Sequence, residues 1–137
     1  MRRTATITLH WASLLALVLL VAGGPVPVLA WGFGVIGLAL CALALTHGLM
    51  NGPGPKLDGA LRAAHPWLSR AMYAGLGAVA AVTLWHVAVA PVAGLQRLHF
   101  YLMSAASLHA IFHLWRHTAL GDGALRRITP TSMHGML

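Results

Sequence analysis

Apolar residues gather in four long runs, each about the 20 residues that a helix needs to cross a bilayer. Short stretches rich in proline and glycine separate them. The first run extends from roughly Thr6 to Ala22 and is closed by "GGPVP"; the second spans Val28 to Met50 and is closed by "NGPGP". The third follows "HP" and covers Trp67 to Ala90, and the fourth covers Leu95 to Thr118. Pro25, Pro53, Pro66 and Pro91 are expected in the connections, where a missing amide hydrogen costs little. The pattern predicts an all-α, membrane-embedded four-helix bundle, up-down-up-down, as a single domain over residues 1–137. It contains no soluble domain, linker or internal repeat.

Composition agrees with that pattern. Hydrophobic residues make up 58% and charged residues 8%, with a mean hydropathy of +0.76. A soluble domain carries about 25% charged residues. There is no glutamate, Asp58 and Asp122 are the only acids, and the net charge is +7. The lysine and arginine residues flank apolar runs and form no stripe with aromatics, so the partner they fit is the lipid bilayer and not nucleic acid. Cys41 stands alone, which excludes an internal disulfide, a cysteine-based metal site and a Cys-x-x-Cys-His haem attachment.

Charge also predicts orientation. Arg2, Arg3, Lys56, Arg62, Arg70, Arg116, Arg126 and Arg127 fall on one side of four spans, and Arg97 alone on the other. Both termini are therefore expected in the cytoplasm. Trp11, Trp67 and Trp115 near cytoplasmic ends, with Trp31 and Trp85 near the opposite face, suit headgroup depths. The opening thirty residues also have the basic start, apolar middle and small residues (Val28, Ala30) of a secretory signal. Cleavage after Ala30 would leave three spans; the four-span alternative is the one preferred.

Nine histidines are the anomaly in so apolar a chain. A polar side chain within a span is costly without a partner or a function. Neutral imidazoles from facing helices can clamp a planar haem inside a bundle. His109 is expected roughly 12 Å from the cytoplasmic end of its span at 1.5 Å per residue, and His10 at a comparable depth in the first span. His113, one turn away, is a rival to His109. His117 should lie near the headgroups. A haem at this depth could direct its propionates toward Arg2, Arg3 or Arg116. His47, His65, His117 and His134, placed near water, are expected to be solvated or to bond neighbouring helices.

Three stretches carry a family resemblance: "TLHWASLLALVLL", "AAHPWLSRAMYAGL" and "LHAIFHLWRHTALGDGALRRITP". The order they form resembles the bacterial cytochrome b561 family, four-helix inner-membrane proteins that carry b-type haem and exchange electrons with quinone. The resemblance implies that His10 and His109 are axial ligands of the cytoplasmic-side haem. It also implies an outer haem in two-haem members, held by a histidine at the start of the second span. Trp31 and Gly32 stand there instead. His99 lies fourteen residues before His113, about 21 Å of helix, which suits two stacked haems and makes His99 with His113 a competing register. An outer haem would need His86 as partner to His99. The connection "APVAG" is too short to carry an outer active site, which counts against the superoxide oxidation of some relatives.

Two functions follow as expectations. The first is electron transfer through a b-type haem, with quinone and a redox partner as the exchanging species. The second is an accessory or anchoring subunit of a larger respiratory complex, its small-residue faces "YAGLGAVAAV" and "WGFGVIG" packing on a partner. No carboxylate pair, nucleophile triad or phosphate loop points to protein-centred catalysis. The midplane acid or broken helix of a transporter is also missing.

Overall fold

A computed structural model describes residues 2–50 and 52–136. Four long helices account for most of them: α1 (Arg2–Gly23), α2 (Pro27–His47), α3 (Gly59–Ala88) and α4 (Leu95–Thr118). The described residues include no strand. Two short 3-10 turns follow, Ala124–Arg127 and Thr131–Met136. α1 packs against α2 and α4, α2 against α3, and α3 against α4.

α4 has the expected bounds, while the other helices differ at their ends. α1 begins at Arg2, ahead of its apolar run. α2 starts at Pro27, whose fixed φ suits the first helical position and whose missing N–H would have had no partner there. It stops at His47, where Gly48 turns away at φ +75° and accepts a hydrogen bond from Arg2 Nη2 at 2.7 Å. The largest departure is α3, thirty residues or about 45 Å long. Its first two turns precede the apolar run, so Pro66 lies inside the helix and not in a connection. The proline costs α3 the hydrogen bond to the carbonyl of Arg62, and the turns on either side carry the helix through.

α1, α2 and α3 are long and apolar enough to cross a membrane, as judged from length and composition. α4 has the length, at 24 residues. Its four histidines with Arg97 and Arg116 lower its mean hydropathy. Large apolar side chains such as Leu15, Leu45, Leu108 and Ile111 are exposed, as are all five tryptophans. An apolar exterior of this extent is what a bilayer covers. The chain is consistent with a membrane protein.

The buried core is small. Leu17 and Leu20 of α1, Ala30 and Phe33 of α2, Ala80 of α3 and Leu102 of α4 form one cluster. Glycine brings two helices together there: a Cβ on Gly34 would collide with Leu84, and one on Gly37 would lie 3.0 Å from the Ala80 Cβ. The core thus uses the second halves of α1 and α3 and the first halves of α2 and α4. A cavity adjoins this core and shares Leu17 and Leu102 with it.

Candidate functional site

The cavity measures about 430 Å³, within the roughly 300–1,000 Å³ usual for small-molecule and cofactor sites. Its wall is largely apolar, with Leu14 and Leu17 of α1, Leu40 of α2, Met72 and Leu76 of α3, and Leu102 and Met103 of α4. Three imidazoles enter this wall: His10 from α1, and His109 and His113 from α4. Four residues of separation put His109 and His113 on one helix face, with ring centroids 4.5 Å apart.

Hydrogen bonding sorts the nine histidines. His47 Nδ1 pairs with Thr46 Oγ1 at 2.7 Å, and His86 Nδ1 accepts from the Val92 amide at 2.8 Å. His65 Nε2 accepts from Arg116 Nη1 at 2.9 Å. His99 Nε2 meets Thr83 Oγ1 at 2.9 Å, and His134 Nε2 lies 3.3 Å from the Thr129 carbonyl oxygen. Among the described residues, no group hydrogen-bonds His10, His109, His113 or His117. Three of those four line the cavity. Among the described residues, the buried imidazole nitrogens without a partner are Nδ1 of His65, His99 and His117, away from the cavity lining. The half-buried His10 and His109 and the buried His113 instead present imidazoles free of hydrogen bonds to the cavity itself, where they are suited to ligating something placed in it.

The α4 histidines differ in their surroundings. His113 is nearly buried, with the ring of His65 edge-on at 6.1 Å and that of Phe112 at 5.6 Å. His109 touches only the His113 ring among aromatic neighbours. His10 has Trp11 edge-on at 5.7 Å. His117 is half-buried with its Nδ1 shielded and unpaired.

His86 and His99 stand apart from this cavity. His99 is fully buried, edge-on to Phe33 at 5.7 Å and bonded to Thr83, itself fully buried. Phe33 belongs to the close-packed core cluster. His86 ties down the α3–α4 connection.

The three arginines expected near propionates have protein partners. Arg2 bonds the Gly48 carbonyl. Arg3 Nη2 donates to the carbonyls of Arg126 at 3.0 Å and Thr129 at 2.9 Å. Arg116 is fully buried and forms an ion pair with Asp122, while also bonding His65 and the Pro53 carbonyl.

Sequence reasoning overlooked this last network and the segment it anchors. Asp122 accepts from Arg116 and, through Oδ1, from the Ala124 amide at 2.9 Å, folding "GDG" into a tight turn. The chain then runs back across α1, where Trp11 Nε1 donates to the Ile128 carbonyl at 2.9 Å. Leu125 and Ile128 thereby complete the cavity wall. The available signal was the scarcity of acids: one of two carboxylates lies six residues after an arginine at the end of an apolar helix.

No group of three or more His, Cys, Asp or Glu side chains among the described residues is arranged to hold a bare metal ion. Set against family models, characterised proteins and solved structures, the chain matches none of them.

Proposed function

We propose that this chain is a membrane electron-transfer protein that holds one b-type haem between His10 and His109 and exchanges electrons with quinone. Its four helices would then be up-down spans of a bacterial inner membrane, with both termini cytoplasmic. One observation carries the proposal: unpaired imidazoles from α1 and α4 converge on a single apolar cavity.

When bound, haem supplies one-electron exchange between its ferric and ferrous states. The protein's own tasks are ligation, orientation and exclusion of water. His10 and His109 supply neutral nitrogens from two helices. The aliphatic and thioether wall keeps the site dry, a condition that helps set a haem potential. Leu125 and Ile128 extend that wall on the side of the C-terminal segment.

A difference spectrum of purified protein, reduced minus oxidised, tests the proposal. A b-type α-band is expected. His10→Ala and His109→Ala should each abolish haem retention, while His113→Ala should keep most of it. Loss in His113→Ala with retention in His109→Ala would move the ligand one turn along α4. A wild-type protein purified from haem-replete cells without the band would end the electron-transfer proposal. An anchoring subunit would then be favoured by the exposed face of α3, where Ala71, Ala74, Ala78, Ala81 and Ala88 allow close approach of another helix.

A further inference from the structure

The connection between α2 and α3 turns its carbonyls onto three arginines. Arg127 Nη1 donates to Gly52 at 3.2 Å and Arg116 Nη2 to Pro53 at 2.6 Å. Arg62 Nη1 donates to Gly54 at 2.7 Å and to Leu57 at 3.1 Å. At Gly54 (φ +75°), an added Cβ would lie 2.8 Å from Arg116 Nη2 and 2.9 Å from Arg127 Nη2. A fourth cation joins from the same connection. The Lys56 Nζ lies 3.2 Å from where a Cβ on Gly121 would sit. Lys56 is exposed and hydrogen-bonds no described residue.

Charge at this spot does not balance. Asp122 is the carboxylate within the cluster, and its ion pair with Arg116 is buried. Asp58 is exposed at the N-cap of α3 and forms no ion pair with any described residue. Carbonyl oxygens orient the guanidinium groups of Arg62 and Arg127 but leave their net charge intact. Lys56, Arg62 and Arg127 therefore repel one another. An external anion relieves that repulsion.

Position selects which anion. The cluster lies between the apolar runs of α2 and α3 and just past the end of α4, with Trp67 and Trp115 exposed close by in the chain. Tryptophans of this kind mark headgroup depth. Phosphate is present there on lipid, at high local concentration, and basic groups beside spans attract it. We infer that Arg62 and Arg127 at Gly54, with Lys56 beside Gly121, form a binding site for the headgroup of an anionic phospholipid. The inference rests on the membrane placement of the chain and is independent of haem.

Native mass spectrometry of the full chain, titrated with phosphatidylglycerol or phosphatidylcholine in detergent, tests it. Phosphatidylglycerol should bind more tightly. Lys56→Gln should weaken it about fivefold, the effect of one cation near a lipid surface, and Lys56→Glu should weaken it further. Lys56 makes no internal hydrogen bond, so both variants should unfold at the wild-type temperature. Arg97→Gln, a cation outside the cluster, should leave binding unchanged. Equal retention of the two lipids would overturn the inference, as would a loss in Arg97→Gln matching that in Lys56→Gln. Competition by inorganic phosphate at equal concentration would show a free-anion site and overturn it as well.

Discussion

At the scale of residues, position within the packed bundle decides what each polar side chain does. Arg116 ends an apolar helix, where a solvated or headgroup-bound guanidinium would be unremarked. Its side chain instead has no exposed surface and is paired with an equally buried Asp122. Removing one partner of such a pair leaves an uncompensated buried charge, at a cost of about 3–5 kcal/mol. Asp122→Ala should lower the unfolding free energy by that amount in detergent denaturation. A loss under about 1 kcal/mol would mean that water reaches Arg116. His65 shows the same dependence on context. It was expected near water, yet it is 2% exposed and bonded to Arg116. That bond joins α3 to α4, in keeping with the helix–helix role weighed for it.

At the scale of elements, glycine sets the separation of α2 and α3. Gly34 faces Leu84 so closely that no Cβ fits without movement, whereas Gly32 meets nothing within 4 Å. Gly34→Ala should therefore cost about 1–3 kcal/mol through overpacking. Gly32→Ala should be neutral or gain up to about 1 kcal/mol from helix propensity. Thermal unfolding of the pair in one detergent distinguishes them, and equal midpoints would refute the close packing. The small-residue run "WGFGVIG" thus serves an internal interface at Gly34 and Gly37, while the alanine face of α3 remains exposed. Periodicity found these residues but could not assign them to inner and outer faces, because every position in so apolar a helix is acceptable to either.

At the scale of the whole molecule, a packed core and an open cavity divide the bundle. His99 belongs to the core with Phe33 and Thr83, and His10, His109 and His113 belong to the cavity. A single haem per chain follows as the expectation for the proposed function. Pyridine haemochrome analysis against protein concentration should give a ratio near one, and His99→Ala should retain the haem. A ratio near two, or loss of haem in His99→Ala, would place a cofactor in the half that the core fills.

Much of this architecture was legible in the chain itself. Long apolar runs punctuated by proline and glycine dictate helices and a membrane environment, because backbone polar groups in lipid must be satisfied within the segment. Histidine is rare enough in such runs to mark candidate chemistry, and equal depth along two helices singled out His10 with His109. Two matters were left to tertiary structure: which imidazoles find hydrogen-bond partners, and how the C-terminal segment closes the cavity. Each depends on groups far apart in the chain, such as Thr83 with His99 or Trp11 with Ile128. Helix period and depth specify where a side chain sits on its own element, and only packing specifies what it meets across the gap.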